Sequence, residues 1–348
     1  MMNEDLSKKL ISIVFKLTIV LLIVSVVSIV YSQREKLDSF KIKNNSYKEN
    51  VKITYTTPSN TFVSQKKDNN INNFIACYEK PMKEEDFTDE MKNKLNEIYS
   101  FFSNNQYILS FSYEDMYSGL HVSYNENQQY FAASTIKAPV VLYTYEQAEA
   151  GNIDLDSYMT YTPVFFVEGS GSLQYTEFGS SYTIRELSKK AIIESDNVAY
   201  QMVAASANIN DIMTFWQEKG SNNFWTNGIW GIESAYDFSV YMKELYKYFL
   251  TKSELSEELM NYFYNSVFPL IKSGGGETIA HKSGWRGDTM HDAAIVFDEY
   301  PYVVAIFSNR GASDYNDFFD KASLLIYDFH KIYWKSKANY CYTSIFKA

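Results

Sequence analysis

The first strong pattern in the chain is an apolar run from Leu10 to Tyr31 that carries one charge, Lys16. A helix over this run rises about 30 Å, the thickness of a bilayer's hydrocarbon core. Lys8 and Lys9 stand before it, as on a cytoplasmic flank. The run predicts a single-pass anchor over residues 10–31 behind a cytoplasmic tail of residues 1–9. A cleaved signal peptide is the competing reading, with Val30-Tyr31-Ser32 as its small-residue site, although the run is longer than an ordinary h-region. On either reading the rest of the chain is exported. Residues 32–72 are rich in Asn, Lys and Ser, with few periodic apolar positions. Such a stretch buries too little surface to offset its ordering entropy and predicts a flexible linker.

From residue 73 the periodicity is that of a packed domain, expected over 73–337, with a tail at 338–348. Met91, Leu95, Ile98 and Phe102 share one face of a helix expected over 85–104. Strand candidates at 107–113 and 120–124 follow, then a helix over 135–150 that stops at Gly151. Thr183-x-x-Glu186 is a capping-box pattern opening another helix, with Ile184, Leu187, Ala191 and Ile192 as its buried stripe. Helical patterns recur at 197–206, 210–219, 235–251 and 254–265. Strands are expected at 278–285, 289–297 and 302–308, and a last amphipathic helix at 315–335. This order predicts an α+β fold: an antiparallel sheet flanked by terminal helices, plus an inserted all-helical subdomain. A groove is expected between the two parts.

Composition narrows the function classes. Lys plus Arg number 32 against 42 Asp plus Glu, a net charge of −10, which argues against a nucleic-acid partner. Cys77 and Cys341 are the two cysteines and lie in no CxxC or Cys/His spacing; the four histidines are scattered and form no HExxH. No metal and no other cofactor is expected.

Three short segments carry chemistry. Ser134-Thr135-Ile136-Lys137 opens a helix with a hydroxyl and an amine one turn apart on one face. A lysine whose pKa is lowered by burial near other cations can take the serine proton. Ser195-Asp196-Asn197 offers a hydroxyl to relay a proton and an amide to bind a substrate carbonyl and the lysine amine. Lys282-Ser283-Gly284 sits in a strand candidate, where Lys282 and Ser283 can bind a carboxylate and Gly284 allows close backbone approach. Taken singly, each is equally an ordinary helix start, polar junction or strand end. The ordered trio, each on the element its chemistry needs, is much rarer.

On these residues the sequence resembles the superfamily of penicillin-binding proteins and class A β-lactamases. Gly169-Ser170-Gly171-Ser172-Leu173, Tyr182 to Leu187, and Asp292 to Val296 extend the likeness over about residues 85–332. The resemblance implies that Ser134 is acylated, that Lys137 activates it, and that Ser195 passes the proton to the leaving nitrogen. It implies that Asn197, Lys282 and Ser283 bind substrate, and that the backbone N–H groups of Ser134 and Trp285 form the oxyanion hole. A β-lactam or a peptidoglycan stem peptide is the implied partner, met outside the cell membrane.

Two family features are missing from the pattern. The deacylating glutamate of an E-x-x-L-N loop is not evident. Glu233 reads as part of a helix start with Ser234 as N-cap, and Glu257-Glu258-Leu259-Met260-Asn261 falls too late, inside an amphipathic helix. The arginine expected after the third motif is replaced by Met290 and His291, leaving Arg286 as the one substitute. The expectation is therefore a slow β-lactamase-family hydrolase. A cell-wall D,D-peptidase, or a sensor that binds penicillin or peptidoglycan without turnover, is the alternative. In the fold so implied, the first and last helices of the domain pack side by side, which would bring Cys77 near Cys341; two unpaired thiols are the other outcome.

Overall fold

The computed structural model describes residues 69–222, 230–311 and 317–346. The expected anchor at 10–31 and nearly all of the expected linker lie outside the described residues. Among those described, no helix is long and apolar enough to cross a membrane.

Helix α1 (Asn69–Tyr78) precedes α2 (Asp89–Ser103), and strands β1 (Leu109–Asp115), β2 (His121–Tyr124) and the short β3 (Tyr130–Phe131) follow. The helical part comprises α3 (Lys137–Glu149), α4 (Ile184–Ile193), α5 (Asn197–Ser206), α6 (Ile209–Glu218), α7 (Ala235–Leu250) and α8 (Glu254–Tyr264). Two short strands, β4 (Tyr158–Thr160) and β5 (Ser181–Thr183), pair between α3 and α4, and β6 (Ile232–Glu233) pairs with β3. Strands β7 (Thr278–Arg286), β8 (Thr289–Phe297) and β9 (Tyr302–Ser308) then lead into α9 (Phe318–Phe346). The main sheet is antiparallel, in the order β2-β1-β9-β8-β7. The predicted α+β architecture is the one observed.

The sheet is buried on both faces, and its strands divide their side chains by the period of two. In β9, Val303, Ala305 and Phe307 join the core shared with the helical subdomain, whereas Tyr302, Val304 and Ile306 face the core under α2 and α9. Strand β7 forms an edge, so one side of it is left for the neighbouring helix start and the cleft.

Both ends of the domain differ from expectation. Helix α1 begins inside the expected linker, because Phe74 packs on Phe346 (ring centroids 5.8 Å) and Tyr78 on Trp334 (5.8 Å). The expected tail is helical as far as Phe346, with Cys341 fully buried. No glycine or proline stops the helix there, and its inner stripe continues through Lys337, which hides the pattern. Cys77 and Cys341 form a disulfide, their Cα atoms 5.8 Å apart. Helix α2 starts later than expected because Thr88 is its cap, accepting from the Met91 N–H at 3.3 Å.

Candidate active site

Ser134 lies in a 3₁₀ turn, Ala133–Ile136, that runs into α3. Ala133 takes a left-handed backbone (φ 51°), which turns the chain sharply from β3 into the helix. His291 steadies this approach. Its Nδ1 accepts from the Ser308 N–H (3.1 Å), so its Nε2–H donates to the Phe131 carbonyl (3.0 Å). Burial holds that imidazole neutral, with its pKa pushed down to about 3.

Lys137 is the first residue of α3, one turn beyond Ser134, and is completely buried. Its Nζ lies 3.0 Å from Ser134 Oγ, 3.1 Å from Ser195 Oγ, 2.7 Å from Asn197 Oδ1 and 2.5 Å from the Ser195 carbonyl. Burial, reinforced by the charge of Lys282 and opposed by Asp196, lowers its pKa well below the usual lysine value. A neutral amine here donates to Asn197 Oδ1 and the Ser195 carbonyl, and keeps its lone pair for a hydroxyl proton.

The second motif is held at the junction of α4 and α5. Ser195 has a left-handed backbone (φ 55°), and the buried Asp196 caps α5 by accepting from the Ala199 N–H (2.9 Å). Its other oxygen accepts from the Leu173 N–H (2.8 Å), tying the motif to the loop that precedes it. That loop needs its glycines. A Cβ on Gly171 would come within 2.2 Å of the Asp196 carboxylate, and one on Gly169 within 2.7 Å of Asn197 Nδ2; both residues have positive φ. Asn197 Nδ2 instead donates to the Glu168 carbonyl (3.2 Å).

The third motif lies on the edge strand β7. Lys282 Nζ donates to Ser195 Oγ (3.1 Å) and to the Ser283 carbonyl (3.0 Å). Burial lowers its pKa to about 8, with Asp292 acting in the opposite direction. Gly284 serves the protein itself: a Cβ there would lie 2.6 Å from the backbone nitrogens of both Ser134 and Thr135. Glycine thus lets β7 approach the start of the Ser134 helix. Ser283 is buried, with its hydroxyl 3.4 Å from the Val267 carbonyl. Beneath the strand, Asp292 accepts from the N–H groups of Leu270 (2.8 Å) and Ile271 (3.0 Å) and stands 3.1 Å from His281 Nδ1.

These segments meet at a cavity of about 530 Å³ whose lining includes Ser134, Asn197, Trp285, Trp230, Glu168 and Arg286. A model of the β-lactamase enzyme family matches residues 90–330. The chain belongs to that family. It is thereby a serine hydrolase of amides, and among the described residues Ser134 lies in the one S-x-x-K segment that meets the other two motifs. No curated protein matches it by sequence. Among solved structures it is similar to a mutant of PBP-A captured as an acyl-enzyme complex with penicillin G (23% identity, TM-score 0.64, 69% of this chain and 97% of that one). It is also similar to β-lactamases from Sphaerobacter thermophilus DSM 20745 (16%, 0.59, 68% and 95%) and Burkholderia phymatum (19%, 0.59, 70% and 99%). At these identities the likeness is one of fold.

Against the family's pattern, the carboxylates considered for water activation lie elsewhere. Glu233 is buried in β6, where its Oε2 accepts from the Tyr241 hydroxyl (3.0 Å), and it does not line the cavity. Glu258 lies inside α8 and accepts from Arg185 Nη1 and from the Tyr145 hydroxyl (3.0 Å). The wall over Lys137 is instead the indole of Trp230, whose ring centroid is 5.9 Å from Lys137 Nζ and 5.2 Å from the Tyr200 ring. Arg286 lines the cavity with its guanidinium 5.0 Å from the Phe131 ring centroid. Sequence reasoning missed Trp230 and Glu168. The only sequence signal for Glu168 is its place directly before Gly169-Ser170-Gly171. Among the described residues no group of three or more His, Cys, Asp or Glu side chains is arranged to hold a metal ion.

Proposed function

We propose that Ser134 is acylated by β-lactams or D-Ala-D-Ala-like amides, and that the acyl-enzyme is then released slowly. The observation that carries this is the Lys137 amine, within hydrogen-bond reach of both the Ser134 and the Ser195 hydroxyls. Ser134 Oγ attacks the amide carbonyl and passes its proton to Lys137. The oxyanion of the tetrahedral intermediate is held by the backbone N–H groups of Ser134 and Trp285. The proton then moves from Lys137 through Ser195 to the leaving nitrogen, and the C–N bond breaks. Lys282 keeps Ser195 oriented and, with Arg286, supplies positive charge for the substrate carboxylate; Ser283 joins them when its hydroxyl turns from Val267. Asn197 holds the carbonyl of the acyl side. Slow release follows from the apolar wall. A hydrolytic water needs a base within about one hydrogen bond, and Trp230 stands over Lys137 where such a base would work.

The same wall supports a second reading, in which the protein binds penicillin or peptidoglycan stem peptides without turnover. The Cys77–Cys341 bridge fits an exported domain in an oxidising compartment, tethered by the 10–31 segment. Mass spectrometry of the full-length protein with penicillin G tests the proposal. One adduct is expected, on the peptide containing Ser134; it persists over hours and is absent in Ser134→Ala. An adduct retained in that variant, or rapid hydrolysis with no adduct, overturns it.

A further inference from the structure

Two formal charges lie on the cavity lining among the described residues, Arg286 at the β7 side and Glu168 at the side of Asn197. The cationic side has an occupant in the reading above, the substrate carboxylate. The anionic side has none. Among the described residues Glu168 has no ion-pair or side-chain hydrogen-bond partner, and its backbone is nevertheless fixed. Its carbonyl accepts from Asn197 Nδ2 (3.2 Å), and the next residue, Gly169, donates to Gln174 Oε1 (3.2 Å) while its carbonyl accepts from Gln174 Nε2. Gln174 also donates to the Gly171 carbonyl (2.9 Å). A loop pinned this tightly fixes the Glu168 backbone beside the Asn197 amide, with Glu168 on the cavity lining.

From this geometry we propose that Glu168 forms an amine subsite: the acyl donor this protein takes carries a primary amine on the side chain of its acyl half. The inference rests on the acyl-enzyme reading of Ser134. The substrate's carbonyl must sit between Ser134 and Asn197, and its carboxylate points toward Lys282 and Arg286. The substituent on the acyl side then extends past Asn197 to Glu168, between Val167 and Trp230, which also line the cavity. An ammonium on that substituent meets the carboxylate without leaving the cleft, whereas a second anion there is repelled. The preferred substrate is thus a zwitterion read from both ends.

Penicillin G and ampicillin share a nucleus and a phenyl group and differ by one amine on the acyl side chain. The readout is the ratio of their second-order rates of Ser134 acylation, measured by time-resolved mass spectrometry on the full-length protein. Dividing the variant's ratio by that of the unaltered protein cancels the two compounds' own reactivity. An exposed ion pair gives about a three- to five-fold preference for ampicillin. Glu168→Gln is expected to remove it, Glu168→Lys to invert it, and 0.5 M salt, a screening length of a few ångströms, to weaken it. A ratio identical in the unaltered protein, Glu168→Gln and Glu168→Lys, with Ser134 still labelled, overturns the amine subsite alone. Failure of both compounds to label Ser134 overturns the acyl-enzyme reading and this one with it.

Discussion

Replacing Lys137 by methionine separates chemistry from stability at the centre of this site. Methionine is close to lysine in volume and leaves the packing inside α3 intact, but it removes the nitrogen that contacts Ser134, Ser195 and Asn197. Loss of a positioned base costs about 10²- to 10⁴-fold in rate, or about 3–5 kcal/mol in the barrier to acylation. The effect on folding runs in two directions. The Asn197 Oδ1 and Ser195 carbonyl acceptors lose a donor, about 1–3 kcal/mol each where no water replaces it. Against this, a fully buried amine no longer has to be dehydrated, a cost of similar size. The two terms largely cancel, so Tm is expected to move by under about 5 °C while the acylation rate with penicillin G falls at least about 100-fold. Time-resolved mass spectrometry gives the rate and differential scanning fluorimetry the Tm. Acylation within ten-fold of the unaltered protein, at unchanged Tm, would refute the assignment of Lys137 as the proton acceptor.

Release should respond to the opposite wall. Trp230→Glu puts a carboxylate beside Lys137 in place of the indole and is expected to speed decay of the Ser134 adduct by at least about ten-fold; an unchanged adduct lifetime would count against Trp230 as the obstacle. The pH profile of acylation should fall on the alkaline side near pH 8. Lys282, whose pKa burial lowers to about 8, is cationic below that pH and neutral above it, so the carboxylate-binding charge is lost as pH rises. Burial also lowers the Lys137 pKa well below the usual lysine value. A flat profile from pH 7 to 9.5 would remove Lys282 from substrate binding. Finally, thiol titration of the unfolded, unreduced protein should find no free thiol. Reduction should cost roughly 2–4 kcal/mol of stability in urea melts, because the bridge closes a loop with a sequence separation of 264.

The parts of this fold that were legible in the sequence are those where one local rule decides. The capping box at Thr183 and Glu186 fixes the start of α4, and the short apolar runs that dominate β8 and β9 mark strands of a sheet buried on both faces. The ends of the domain were not legible because their stripes are mixed. Helix α1 is dominated by asparagine, and the inner face of α9 includes Lys337. That lysine is buried because its Nζ donates to the Lys80 carbonyl and lies 5.6 Å from the Tyr333 ring centroid and 5.9 Å from that of Trp334. Burial lowers its pKa to about 8. A charged residue on the inner face of a helix reads as a break in the pattern until its partners are seen.

The site divides in the same way. Its acylation half is written in three short segments because each supplies a side chain to one nitrogen. Ser134 and Lys137 are joined by helical spacing, Ser195 and Asn197 reach Lys137 from a capped junction, and Lys282 reaches Ser195 from a strand edge. Residues under such mutual constraint leave a spacing that can be read. The release half has no such mark. Whether water can attack depends on what stands over Lys137, and here that is an indole delivered by the turn before β6, with no hydrogen bond to any of the three motifs. The amine subsite is equally unmarked, since Glu168 is brought to the cleft by its backbone contact with Asn197 and not by any pattern of its own. On the reading proposed above, membership of the family carries the formation of an acyl-enzyme, while Trp230 and Glu168 are proposed to set its lifetime and the substrate it selects. It follows that substitutions at these two positions should change the fate and the preference of the adduct without moving it from Ser134.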